Sequence, residues 1–203
     1  MTRPDIAVVF DERISNDDFD IFEDSVKSEG LSLMVQSREP NGPQACLEWA
    51  IPSMVVAYLG KSYFDGFLKE MGKEHYHSLK DGLSSLTTKV MDKPRIEPML
   101  LGTPGKISSN NPFSLVFSIQ AETDDNFTFK LLVPKRVSDC NYDEIISKFM
   151  VFLDEYHLGL QTLKSIGFIP ISDDPRHPLP YQIFVHYCTE SNAIRWLNPK
   201  DYR

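Results

Sequence analysis

Two histidines, His157 and His186, have sequence neighbours that would suit a catalytic imidazole. His157 lies three residues after Asp154, a spacing that places both on one face of a helix and lets the carboxylate orient the ring as a general base. His186 lies two residues before Cys188 in a stretch that alternates like a strand. Side chains two apart on a strand are about 7 Å apart, so this cysteine is more typical of a small buried apolar residue than of a thiolate nucleophile. The sequence predicts His157 and His186 as catalytic candidates.

A carboxylate, Asp11, is the third catalytic candidate, because it directly follows an apolar run at residues 6–10 that suits a buried strand. More acids follow at residues 12–24, and carboxylates are common ligands of divalent ions. Acids in the first turn of a helix also interact favourably with its dipole, and the run lacks the spacing of a calcium loop. We therefore expect no metal site there.

A second metal-like pattern is Glu74-His75-Tyr76-His77. Side chains two apart on a helix point about 200° apart, whereas paired helical ligands need a spacing of three or four. His75 falls among apolar residues and is expected in the core or at its boundary. The sequence predicts neither a metal nor a cofactor.

Three aromatic residues, Tyr63, Phe64 and Phe67, are the candidates for a binding surface. They follow an apolar run at 50–59, which contains Pro52 and is well short of the roughly twenty residues that a transmembrane helix needs. Dense aromatic residues pack cores, but they also form recognition surfaces. Both interpretations stay open, and no transmembrane segment is expected.

One long helical pattern positions these residues. Apolar residues recur at steps of three and four over residues 61–90, which predicts an amphipathic helix, and Gly72 is the expected place for a break because 73–90 would still make five turns. A second such pattern begins after Ser138 or Asp139 and continues to Gly167.

The other predicted elements are mostly strands. The opening is strand, helix, strand, and Pro52 predicts a kinked or two-piece helix over 44–59. Two alternating segments separated by a polar turn predict an antiparallel hairpin, and a late strand follows a proline-rich loop. In chain order, these strands and the first helix are predicted at residues 6–10, 17–28 (the helix), 31–35, 113–121, 127–133 and 181–187.

This order of elements predicts an α+β fold, with a mostly antiparallel sheet and two long amphipathic helices packed on one face. We expect a single domain over residues 1–203, with a proline-rich connection at 170–180 and a C-terminal segment at 181–203. The sequence does not indicate whether that connection acts as a lid.

Net charge and cysteine content indicate which kinds of partner and which compartment to expect. A net charge of −8 repels polyanions, so nucleic acid is not an expected partner. The three widely spaced cysteines form no Cys-x-x-Cys pair, and the apolar run near the N-terminus is too short for a signal peptide. We expect a cytoplasmic protein.

No residues in the sequence form a recognisable catalytic motif. The long helical pattern and the aromatic density around it favour a cytosolic interaction or regulatory domain that binds a protein partner or itself. The alternative is an enzyme, hydrolase-like or metal-dependent, whose residues converge only in three dimensions. A deep pocket with convergent ionisable groups would favour the enzyme, and a shallow surface would favour the binding domain.

Overall fold

The chain folds into a seven-stranded sheet with helices. The computed structural model describes residues 3–40, 53–93, 111–123, 127–135, 140–170 and 180–198. The strands are β1 (Ile6–Asp11), β2 (Leu33–Arg38), β3 (Val55–Leu59), β4 (Phe113–Glu122), β5 (Thr128–Pro134), β6 (Gln182–Cys188) and β7 (Ala193–Trp196). The α-helices are α1 (Asp17–Val26), α2 (Leu68–Met71), α3 (Lys73–Asp92) and α4 (Tyr142–His157), and a π-helical turn, Tyr63–Phe67, precedes α2.

The sheet is mixed, with the spatial order β2-β1-β3-β4-β5-β6-β7. Parallel pairing joins β1 to β2, β3 to β4 and β5 to β6, and antiparallel pairing joins β1 to β3, β4 to β5 and β6 to β7. The α+β class is confirmed, but the prediction of a mostly antiparallel sheet is wrong. Each parallel pair is joined through a helical crossover, and alternation of side chains does not reveal the direction of a strand.

One face of the sheet shares a single hydrophobic core with α1, α3 and α4. Alternate residues of each strand enter this core, as Ile6, Val8 and Phe10 do from β1. We call this the helix face. The opposite face, here called the second face, carries the intervening residues, among them buried polar side chains such as Ser118 and Lys130.

The long helical pattern is divided, as expected, at Gly72. This residue has φ +74°, a conformation that a side chain disfavours, and it separates α2 from α3. With α1 and α4, the structure has four α-helices in the described residues, so the prediction of two long helices is wrong. α4 is capped by Asn141, whose side chain accepts a hydrogen bond of 3.2 Å from the Glu144 N–H, and it ends at His157 rather than near Gly167.

The prediction of a kinked or two-piece helix over 44–59 is wrong in its described part. Residues 44–52 lie outside the described residues, but Val55–Leu59 forms β3, inside the sheet between β1 and β4. A short apolar run cannot be assigned to helix or strand from its periodicity alone, and its two β-branched valines fit a strand better.

The predicted hairpin is confirmed as the antiparallel pair β4 and β5, with Ile119 opposite Leu131. The predicted strands at 6–10, 31–35 and 181–187 correspond to β1, β2 and β6 with shifted ends, and β7 was not predicted.

Gly82 lets α1 and α3 approach closely. A Cβ at this position would lie 3.1 Å from Val26 Cγ2 and 3.2 Å from Ser25 Oγ, so a side chain there would require these neighbours to shift by a few tenths of an ångström. Beside this contact lies an open groove of about 300 Å³. Across the described residues, no helix combines the length and the hydrophobicity needed to cross a membrane.

Candidate functional site

The outer edge of β2 is a hydrogen-bonding surface that no strand of the described residues covers. On the inner side, the Ile6 N–H donates to Ser32 O at 3.2 Å and the Glu12 N–H donates to Arg38 O at 2.9 Å. Because backbone groups alternate in direction along a strand, the residues that face β1 are Met34, Gln36 and Arg38. The backbone groups of Leu33, Val35 and Ser37 therefore point outward.

These outward groups face solvent. Gln36 and Ser37 are exposed, Met34 is 37% exposed and Val35 is half-buried. The Leu33 N–H is partly engaged by Leu31 O at 3.2 Å. Among the described residues no strand pairs with this side of β2, so the edge has the unpaired donors and acceptors that another strand would need.

β2 also lacks the usual protection of an edge strand. Its pairing with β1 is continuous from Leu33 to Arg38 without a bulge. Within β2 there is no proline and no lysine, the residues that commonly block strand addition. The strand is thus regular enough to continue the sheet.

The opposite edge, β7, is covered. The Trp196 N–H donates to Ile166 O at 2.9 Å, and the Arg195 guanidinium donates to Ser165 O at 3.0 Å. The ring of Phe168 packs edge-on against Trp196 with centroids 5.2 Å apart. Ile166 itself is 3% exposed, so the segment that covers β7 is anchored in the core.

A charged cluster lies at the C-terminal end of the β2 edge. Asp11, paired with Arg38 in register, accepts hydrogen bonds from Arg13 Nε at 2.8 Å and Nη2 at 2.6 Å. Arg38 Nη2 donates to Ser53 O at 2.7 Å. The hydrogen bonds from the Arg13 side chain lower the pKa of Asp11 below its ordinary value. Asp11 is therefore a structural anion that holds the turn after β1.

The N-terminal end of the β2 edge carries a carboxylate instead. Asp5 Oδ2 accepts from the Ser32 N–H at 2.9 Å, and Asp5 Oδ1 accepts from the Ser62 hydroxyl. The edge thus has an acid at its beginning and two arginines, Arg13 and Arg38, at its end.

A second polar cluster lies where β3 and β4 end. Glu122 accepts from the Tyr58 hydroxyl at 2.9 Å and from the Lys61 N–H at 3.3 Å, and it pairs with Arg3. Burial alone raises the pKa of the Glu122 carboxyl, but these three partners outweigh it and lower the pKa. Burial and the bond to Glu122 raise the pKa of Tyr58 to about 12. All these groups are engaged with one another, which is typical of a structural network.

The predicted binding residues Tyr63, Phe64 and Phe67 are in the core, with exposures of 0%, 4% and 8%. Tyr63 also hydrogen-bonds His75: Nε2 of the imidazole lies 2.8 Å from Val26 O and Nδ1 lies 3.2 Å from the Tyr63 hydroxyl. A carbonyl only accepts, so Nε2 donates to Val26 O, and in the neutral imidazole Nδ1 then accepts from the Tyr63 hydroxyl. Burial raises the pKa of Tyr63. In this conformation the three rings stabilise the packing between helices and offer no surface to a partner.

The structure does not bring the three catalytic candidates together. His157 stacks on Phe64 with centroids 4.3 Å apart on the helix face. His186 lies on the second face, where it packs against Phe113 at 5.6 Å and burial lowers the pKa of its imidazole. Asp11 is on β1, four strand positions from β6, which is about 19 Å at 4.8 Å per strand.

Cys188, at the end of β6, accepts hydrogen bonds from Ser191, which lower the pKa of its thiol. Within the described ranges, no three His, Cys, Asp or Glu side chains are grouped so that they could hold a metal ion.

The groove between α1 and α3 is another surface feature of the described residues that could accept a ligand. Asp18 at its border is paired with Lys89 at 3.8 Å and with Lys93. The groove is open to solvent, and its charges are largely compensated, so it offers less to a partner than the β2 edge does.

Comparison of the chain with protein-family profiles, with curated proteins and with solved structures found no match.

The residues that define the β2 edge, Val35 and Ser37, were not among the sequence candidates. Their importance depends on which neighbours β2 has, and a sequence does not specify strand order. The available signal was the polar half of the strand, Gln36-Ser37-Arg38, since a central strand of such a sheet is apolar on at least one full face.

Proposed function

We propose that this chain is a protein-interaction domain that binds an extended polypeptide segment by adding a strand to the outer edge of β2. The observation that carries the proposal is the outward orientation of the Val35 and Ser37 backbone groups at a solvent-facing edge. Strand addition of this kind derives its affinity from main-chain hydrogen bonds and its specificity from alternate side chains.

The side chains of β2 define what a bound segment would contact. On the helix face, Leu33 and Val35 are half-buried against the core, so an apolar side chain of the segment would extend that core. On the second face, Met34 and Gln36 are exposed. A segment with apolar residues at alternate positions fits this edge best.

The enzyme predicted as the alternative gains no support from the described residues. Asp11 is bound by Arg13, and the two histidines lie on opposite faces of the sheet. An active site requires ionisable groups that converge on one reacting atom.

The test is capture of partners from an extract of the source cell with immobilised protein. Ser37→Pro removes an outward N–H, and proline is tolerated in edge strands where the N–H faces solvent. Ser37→Ala is the matched control, because it removes the hydroxyl but keeps the N–H.

Wild type and Ser37→Ala should retain the same partner in stoichiometric amount, and Ser37→Pro should lose it while keeping the wild-type circular dichroism spectrum. Equal retention by all three proteins would show that the β2 edge is not the binding surface.

A further inference from the structure

We propose that residues 67–71 form a hinged flap, which opens while the rest of the fold stays closed and thereby exposes one face each of Tyr63 and His75. This conformational device is independent of the β2 edge. Three observations carry it: no side chain of α2 is buried, glycines flank the segment on both sides, and the ring of Phe67 packs beside Tyr63 and His75.

The flap packs against the core through few side chains. Leu68 is half-buried against the hydrophobic core, whereas Lys69, Glu70 and Met71 are exposed. Within the described part of the chain, neither Lys69 nor Glu70 forms an ion pair. A segment with so little buried apolar surface opens at a lower free-energy cost than a strand of the sheet does.

Glycines supply a hinge on each side of the flap. Gly72 has φ +74° and ψ −166°, a conformation that is essentially restricted to glycine. Gly66 is exposed in the π-helical turn, and a Cβ there would meet no neighbouring side chain within 4 Å. A few such residues can absorb the change in φ and ψ that moves a segment as a unit. Single π-helical turns are also frequent at functional sites.

Phe67 is the part of the flap that covers other rings. Its ring lies edge-on to His75 with centroids 4.7 Å apart, and its centroid is 5.9 Å from that of Tyr63. Tyr63 and His75 are held independently of the flap, because they hydrogen-bond each other and Nε2 of His75 bonds Val26 O at 2.8 Å. Opening therefore removes Phe67 and leaves the other two rings in place.

The open conformation gives the aromatic binding candidates access to solvent. Phe67 is 8% exposed and Tyr63 is 0% exposed when the flap is closed. After opening, the ring of Phe67 and the faces that it covered are exposed together. The accessibility of these aromatic side chains then depends on the position of the flap.

The Leu68 amide reports on the flap. It donates to Tyr63 O and Gly66 O, so its hydrogen bond to Tyr63 spans the Gly66 hinge and breaks on opening. Ile119 is the reference, because β4 lies between β3 and β5 and its amide is exposed only when the sheet unfolds.

The experiment measures amide hydrogen exchange of the purified full chain at several urea concentrations below the unfolding transition. In wild type, Leu68 should exchange at least about hundredfold faster than Ile119. The urea dependence of exchange increases with the surface that is exposed. It should be small but above zero for Leu68, because opening exposes Phe67, and several times larger for Ile119.

Two variants test the hinge. Gly72→Ala strains the closed conformation and is relieved on opening, so it should accelerate exchange of Leu68 at least about tenfold. Gly66→Ala is the matched control: its backbone is helical and its Cβ has space, so it should not accelerate exchange of Leu68.

Three results would overturn the proposal. Exchange of Leu68 at the rate and with the urea dependence of Ile119 would show that the flap opens only when the fold does. Fast exchange of Leu68 without any urea dependence would show that the rings stay covered. An unchanged rate for Leu68 in Gly72→Ala would show that Gly72 is not a hinge. If Gly72→Ala fails to fold, the wild-type comparison of Leu68 with Ile119 still decides.

Discussion

The two edges of the sheet have the same backbone chemistry and opposite environments. At β7, the segment anchored by Ile166 covers the outer side and accepts the Trp196 N–H at 2.9 Å. At β2, six residues pair continuously with β1 and present their other side to solvent. An edge of this sheet is closed where a covering segment has its own anchor in the core. Among the described residues, such a segment is present at only one edge.

An open edge costs the folded protein little by itself. The Val35 and Ser37 backbone groups can hydrogen-bond water, so they carry no penalty for burial without a partner. The consequence is exposure to other strands, which natural sheets usually prevent with proline, lysine or a bulge. The absence of all three within β2 is the reason that we interpret this edge as functional.

The largest expected effect comes from removing the anchor at the closed edge. Ile166→Ala should reduce the free energy of unfolding by about 2–5 kcal/mol, because it leaves a cavity in the core. Ile169→Ala is the matched control: Ile169 is 69% exposed, so its truncation should change stability by less than about 0.5 kcal/mol. Chemical denaturation measures both, and equal effects would show that the covering segment is not anchored by Ile166.

An intermediate effect distinguishes the two sides of β2. Gln36→Pro removes an N–H that bonds β1, whereas Ser37→Pro removes one that faces solvent. Gln36→Pro should therefore be less stable than Ser37→Pro by about 1–3 kcal/mol, from the carbonyl of β1 that loses its donor. Thermal or urea unfolding of the two variants gives the difference. The reverse order would mean that the Ser37 N–H bonds β1 and the Gln36 N–H faces solvent.

A smaller effect is expected at the charged end of the open edge. Hydrogen bonds from Arg13 lower the pKa of Asp11, so this pair stabilises the fold above the unfolded-state pKa, and the contribution is lost as pH falls through the folded-state pKa. Arg13 is exposed, so solvent screening keeps this contribution small.

Arg13→Ala should raise the pKa of Asp11 towards its ordinary value, as measured by NMR titration of the carboxyl carbon. The variant should also lose less stability than wild type when the pH is lowered below about 4. An unchanged pKa would show that Arg13 does not hold Asp11 in solution.

The sequence predicted those elements whose period is long and regular. The stripe from His75 to Val90 became α3, and Gly72 marked the break before it, since a positive φ suits glycine. The alternation around Phe117 and Leu131 predicted the hairpin. β3 was not predicted as a strand, because its apolar run is too short to distinguish the helical period from the strand period. β7 has only four residues, and its place depends on pairing with β6.

The functional candidates were harder to predict, because the role of a side chain depends on the residues that surround it in the fold. Phe64 is aromatic whether it lies on the surface or, as here, under His157. Asp11 follows a strand as expected, but Arg13 two residues later occupies both of its oxygens. Strand order in the sheet, which decides that Ser37 faces solvent, arises from contacts between distant parts of the chain.

Amide hydrogen exchange of the monomer tests the central claim most directly, because it measures the open edge and the closed edge in one sample. In dilute protein, the amides of Val35 and Ser37 should exchange at least about tenfold faster than those of Gln36, which faces β1, and Trp196, which bonds Ile166. Protection of Val35 and Ser37 equal to that of Trp196 in the monomer would contradict the account, since it would mean that the β2 edge is already closed.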